Sequence, residues 1–221
     1  MSEVAIQEQA SKASALGSRL GSVVAIAPLG VWTTWHLWEN LSAWDGADVW
    51  EATVSRPGAT GTNTLVSVVV FAPLLLHTAW GFVRLRMTKP NGYQFFGNLK
   101  YLLQRASALG LLGFLIAHVY LARIKPLTVD PGYETFADIS AHMRHHPPTL
   151  VVYLLGVLGV AFHLANGIYT ASFIYGLAAS PRARRVMQVL SLAFFAILLA
   201  TGWGAIAGLF QAGASQAPPL D

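Results

Sequence analysis

The sequence predicts an all-α integral membrane protein, a bundle of five transmembrane helices. Three observations carry that reading. The 221 residues are 54% hydrophobic and only 11% charged, whereas a soluble domain carries roughly 25% charge. The mean hydropathy is +0.51. The charges that exist fall in short clusters between long apolar runs, as loops do between spanning helices. High apolar content with a net charge of only +4 excludes a disordered chain. Zero cysteines exclude disulfides, thiolate zinc sites, iron–sulfur ligation, thiol nucleophiles and covalent haem attachment. The pI of 9.6 would suit a nucleic-acid partner, but the clustering of the cations assigns them to membrane topology instead.

Five stretches are long enough to cross a hydrocarbon core, which takes about 20 helical residues. They cover residues 20–38, 65–85, 101–122, 150–175 and 186–210. The first ends before Asp45 and Asp48, and the second before Lys89-Pro90-Asn91-Gly92. The third stops at Lys125-Pro126, the fourth starts after Pro147-Pro148, and the fifth follows Ser180-Pro181. None alternates apolar and polar residues as a barrel strand would. The expected organisation is a polar cytoplasmic segment over 1–18, the bundle over 19–210 and an outer tail over 211–221. Residues 1–18 hold Glu3 and Glu8 and lack a basic start leading into an apolar stretch, so no cleaved signal is expected.

Charge asymmetry orients the bundle. Lys12, Arg19, Arg84, Arg86, Lys89, Lys100, Arg105, Arg182, Arg184 and Arg185 share one side, ten of the 14 cations. Arg56, Arg123, Lys125 and Arg144 lie opposite, with the acids Asp45, Asp48, Glu51, Asp130, Glu134 and Asp138. The positive-inside tendency makes the N-terminus cytoplasmic and the C-terminus external. Trp32, Trp35, Trp38, Trp44 and Trp50 read as an outer interfacial belt.

Four of the seven histidines lie inside spans, one on each of the first four: His36, His77, His118 and His163. One intramembrane histidine can be a hydrogen-bonded packing residue; four on successive spans point to a shared role. Depth sorts them. His36 is 17 residues from Arg19 and His118 is 18 from Lys100, roughly 26–27 Å of helix. His77 is nine residues from Arg86, roughly 14 Å, and His163 pairs with it at the inner level. Two facing imidazoles can clamp a b-type haem, and small residues such as Gly81, Gly159, Ala165 and Gly167 would let a flat ring approach. A metal transporter would want cysteine or carboxylate beside the histidines, and the spans hold no Asp or Cys. A membrane serine protease would need a Ser–His dyad, and there is no Gly-x-Ser-x-Gly elbow.

These four histidines, 41, 41 and 45 residues apart, resemble the ligands of the di-haem cytochrome b anchor subunit of succinate:quinone oxidoreductases (succinate dehydrogenase and fumarate reductase). Ala161-Phe162-His163-Leu164-Ala165-Asn166-Gly167-Ile168-Tyr169, then Gly176 and Ser180-Pro181-Arg182, resembles the fourth-helix signature of the group with a single anchor subunit. Gln104-Arg105-Ala106-Ser107 is a second, less specific match. The likeness runs over roughly residues 15–210 and implies a respiratory complex II subunit of the tricarboxylic acid cycle, multi-pass in a prokaryotic cytoplasmic membrane. It implies that a flavoprotein with FAD oxidises succinate and an iron–sulfur subunit passes single electrons on. They would go to a proximal haem on His77 and His163, then a distal haem on His36 and His118, then a quinone, menaquinone in this class. This chain lacks a Gly-x-Gly-x-x-Gly fingerprint and a cysteine cluster, so dicarboxylate chemistry belongs to the partners. Some relatives use a glutamate two residues before the fourth ligand for transmembrane proton movement; here that position is Ala161.

Haem propionates need donors, and Arg84, Lys100 and Arg105 are the candidates, although positive-inside anchoring accounts for each as well. Glu39, three residues after His36, and Glu51 are the quinone-site candidates. His142, His145 and His146 have a spacing that could bind metal, yet without carboxylate or cysteine support they read as a solvated loop. Two other readings stay open: a di-haem cytochrome b of a hydrogenase or formate dehydrogenase, and a haem-free transporter or anchor.

Overall fold

The computed structural model describes residues 17, 19–23, 25–55, 60–87, 95–128 and 134–219. Among these every regular element is helical, and five segments are long and apolar enough to cross a membrane: Arg19–Trp44, Thr64–Leu85, Leu99–Ile124, Pro147–Ile174 and Pro181–Ser215. They are the five spans expected from sequence.

Their irregularities follow from local chemistry. The first span carries a π-helical stretch, Ala25–Gly30, that contains Pro28; proline supplies no N–H and crowds the preceding turn, which a widened turn relieves. It continues as the α-helix Val31–Glu39 and closes in a 3-10 turn, Asn40–Trp44. The second span carries Pro73 inside its helix. The fourth begins on Pro147 and Pro148, where a helix has no use for the missing N–H, and is followed by Gly176 at φ 74°, a left-handed stop that glycine adopts freely. The Ser180 side chain accepts from the Ala183 N–H and caps the fifth.

The fourth span is the hub, packed between the third and the fifth. The first span lies on the fifth, and the second rests on Ala25–Gly30. Glycines set the close approaches: a Cβ at Gly202 would stand 2.5 Å from Val157, and one at Gly156 would stand 2.5 Å from Phe114. Ser191 Oγ donates to the Ala165 carbonyl at 2.7 Å and Trp203 Nε1 to that of Leu154 at 3.1 Å. Among the described residues, the second span packs extensively against neither the third nor the fourth.

The tight core lies at the end where the first span finishes and the fourth begins, here the capped end. Leu37, Trp50, Phe136, Ile139, Met143, Val157, Leu198, Ile206 and Leu209 belong to one buried cluster. The lid of this core is the helix Phe136–His145, which buries Phe136, Ile139, Ser140 and Met143 on one face, the i, i+3, i+4, i+7 stripe of an amphipathic helix. The stretch expected as a solvated loop is therefore a packed cap. His142 Nδ1 lies 2.8 Å from the Asp138 carbonyl and His146 Nδ1 2.7 Å from Thr149 Oγ1. His145 Nε2 lies 3.1 Å from the carbonyls of Gly213 and Gln216. The tryptophan belt also divides. Trp35, Trp38 and Trp44 are exposed, while Trp50 is only 2% exposed and sits in the core.

Candidate functional site: two imidazole pairs on one cavity

The first four spans surround a cavity of about 1280 Å³, lined by His36, His77, His118 and His163 together. That exceeds the roughly 300–1,000 Å³ of a single small-ligand site. Most of its wall is apolar, with charged side chains at both ends.

The four rings form two facing pairs. His36 and His118 have centroids 6.1 Å apart, and His77 and His163 have centroids 6.2 Å apart. The rings that face each other are those that counting depth along each span groups together. Each ring has its own support. His36 stacks on Trp32, centroids 4.6 Å apart and planes within 9°. His118 stacks on Phe114, at 5.4 Å and 8°. Both braces lie four residues earlier on the same span, one helical turn away. The Tyr153 hydroxyl is 3.2 Å from His118 Nδ1.

Around His163 the support is polar. Gln104 Nε2 donates to the His163 carbonyl at 3.1 Å and lies 3.2 Å from its Nδ1; Ser107 Oγ stands 3.5 Å from that nitrogen. Asn166 Nδ2 donates to Gln104 Oε1 at 2.8 Å and so fixes which way the amide points. His77 differs again: its buried Nδ1 has no hydrogen-bond partner among the described residues.

The residues fit a bis-imidazole haem. A metal–imidazole bond of about 2.0–2.1 Å and a nitrogen about 1.1 Å from its ring centroid would set two rings that share one iron about 6.3 Å apart, close to both separations. Where Nδ1 is engaged, as in His118 and His163, Nε2 is the nitrogen left for iron, and a ligating histidine normally has its second nitrogen hydrogen-bonded in this manner. Gly81 lines the cavity, and a Cβ there would meet nothing within 4 Å, which leaves room beside His77. Separation alone is not diagnostic, since His142 and His146 are also 6.3 Å apart; neither lines the cavity, and both Nδ1 atoms are engaged locally. Among the described residues no group of three or more His, Cys, Asp or Glu could hold a bare metal ion.

Arg84, Lys100 and Arg105 all line the cavity at what is here the basic end. The Lys100 ammonium lies 5.2 Å over the Tyr169 ring, and the Arg105 guanidinium lies 4.9 Å over Tyr101 and donates to the Arg84 carbonyl at 3.4 Å. At the capped end the two acidic candidates separate. Glu39 lines the cavity. Glu51 lies outside the lining, and its Oε1 accepts from the Phe136 N–H at 2.9 Å, tying down the first turn of the cap helix. Sequence reasoning missed Tyr153, the amide network of Gln104 and Asn166, and Glu134, which also lines the cavity. A signal for the network existed: Gln104 and Ser107 are three residues apart and share a face. Nothing in the sequence singled out Glu134 from the other acids of that end.

The profile of a family described as succinate dehydrogenase/fumarate reductase transmembrane subunit matches residues 93–202. That stretch contains His118 and His163 but neither His36 nor His77. A relative covering more of the chain is the succinate dehydrogenase cytochrome b558 subunit of Bacillus subtilis (strain 168). It is 28% identical over 191 residues, 85% of this chain and 93% of the relative. No solved structure matches the chain.

Proposed function

We propose that the chain belongs with the succinate dehydrogenase/fumarate reductase transmembrane subunits that it resembles, and that it is the haem-bearing, quinone-reactive anchor of its complex. In coarse terms it is a multi-pass membrane cytochrome b subunit of succinate dehydrogenase that partners the catalytic subunits. The finer reading places two b haems in the cavity, one on His77 and His163 near the basic end and one on His36 and His118 near the capped end. The observation that carries it is the pair of facing imidazoles at 6.1 and 6.2 Å on four successive spans.

Held in this way, b haems supply reversible one-electron iron chemistry. Everything else is done by the chain's own groups. Gln104 and Ser107 orient the His163 ring, and Tyr153 orients that of His118. Arg84, Lys100 and Arg105 offer cations to propionates at the basic end. The basic end faces the cytoplasm and receives the flavoprotein and iron–sulfur subunits, and a quinone, menaquinone in this reading, reacts at the capped end. The membrane is the cytoplasmic membrane of a prokaryote. Reduced-minus-oxidised spectroscopy of the purified complex is expected to give a b-type alpha band and two haems per chain. A stoichiometry of one or none would sink the di-haem assignment.

A further inference from the structure

Glu134 lies between the third span and the cap helix, and its position is fixed from both sides. Ser55 Oγ donates to its carbonyl at 2.9 Å. The next residue, Thr135, is locked into a capping box with Asp138, accepting from the Asp138 N–H at 3.1 Å while its hydroxyl donates to Asp138 Oδ2 at 2.6 Å. The backbone therefore presents Glu134, half-buried, to the cavity that Tyr153 and His118 also line.

Other carboxylates of the capped end are committed elsewhere or stand outside. Glu51 holds the Phe136 N–H, Asp138 is held in the capping box, and Asp48 is exposed. Among the described acids only Glu134 and Glu39 line the cavity, and Glu134 alone comes from the cap. The charged or titratable groups that act on it are Asp138 on the cap helix, Lys125 after the third span and Tyr153 on the fourth; Arg123 lines the same cavity.

We propose that Glu134 is the proton-exchanging residue of the capped end, carrying protons between outer water and a quinone bound beside the His36–His118 pair. This rests on the quinone-reactive reading above. Reduction of a quinone to a quinol takes two electrons and two protons. The electrons come from succinate by way of the partner subunits. Protons leave the Glu134 carboxyl for the quinone oxygens in succession, and water at the cap reprotonates the carboxylate after each. Quinol oxidation runs the same exchange backwards.

Burial pushes the Glu134 carboxyl up to about 7, with Asp138 adding to the rise and Lys125 opposing it. A carboxyl in that range both gives and takes a proton near neutrality, as an efficient acid–base group must.

The test uses the whole complex in liposomes, with succinate as donor and either a menaquinone analogue or a soluble dye as acceptor. Glu134→Gln is expected to lower quinone turnover about 100-fold, while dye turnover and the haem spectrum stay as in the unmodified complex. Glu134→Asp is expected to restore most of the loss with a displaced pH profile, and Asp48→Asn to change nothing. A protonated-carboxyl infrared band that titrates near pH 7 and vanishes in Glu134→Gln is the readout independent of turnover. Wild-type quinone turnover and pH profile in Glu134→Gln, or a band that persists in it, overturns the proposal. An unmodified complex that reduces dye but no quinone refutes the quinone-reactive reading itself.

Discussion

At the capped end His36 lies flat on Trp32 and His118 on Phe114; at the basic end the residues one turn before His77 and His163 are Pro73 and Gly159. The rings of the two pairs are almost equally far apart, yet they are held by different physics. The capped pair is braced by aromatic stacking and one phenol hydroxyl, against a dense core. At the basic pair His163 is held by the Gln104 amide and Ser107, while the buried His77 Nδ1 has no hydrogen-bond partner among the described residues. The two separations agree within 0.1 Å, while the supports differ. Hydrogen bonding and burial around an iron ligand are the levers that tune an iron centre, so on the di-haem proposal the two centres are expected to differ in potential.

The sharpest way to break the comparison is to remove one ring at a time. His36→Ala or His118→Ala is expected to abolish one haem and leave the other; His77→Ala or His163→Ala does the converse, read by haem extraction and redox titration. Loss of both haems from every variant would mean that the two levels are not independent. Next is the brace. Gly156→Val must displace Phe114, whose ring lies 2.5 Å from the new Cβ, at about 1–3 kcal/mol. It should disturb the capped pair first, whereas Gly159→Ala, 3.9 Å from the Ser107 carbonyl oxygen, should be nearly neutral.

A finer cut exchanges second partners. Tyr153→Phe is expected to weaken haem retention at the capped level about 10–100-fold, and Gln104→Ala at the basic level by a similar factor. Crossed effects would show that the networks communicate. Thr135→Ala removes the cap of the lid helix and should cost about 1 kcal/mol in thermal stability, without a spectral change at the basic pair. The smallest effect concerns pH. The fold raises the Glu134 carboxyl from 4.5 to about 7, so it favours the protonated form. That contribution is complete below about pH 4.5 and is lost as pH rises through about 7. Melting of the complex should decline over this window, and Glu134→Gln should flatten the slope.

The five spans were legible because length and apolarity alone decide them, and the pairing because depth is a matter of counting residues from the cationic boundary. The supporting groups were not. Tyr153 sits in a run of valine and leucine, and only the close seam of the third and fourth spans brings its hydroxyl to His118. The cap helix was misread for a similar reason. Its three histidines and Pro147 suggest an exposed turn, but Phe136, Ile139 and Met143 find a burial partner in the fifth span, which no local pattern announces. Glu39 and Glu51 look equivalent in sequence; folding sends one to the cavity wall and the other to a backbone N–H.

The uneven packing of the spans bears on how the molecule is made. Within their most apolar windows the last two spans bury 22% of residues each, against 6%, 6% and 0% for the first three. Synthesis delivers the poorly packed spans first and their packing partners last. Insertion and assembly are thus separate stages, because each span is stable in lipid by itself before helices associate. A chain stopped before Pro147 is expected to insert with normal topology, read by protease protection, yet to fail in crosslinking its first span to its third. The two spans from Pro147 onward then act as an internal assembly factor, gathering the three that were inserted before them.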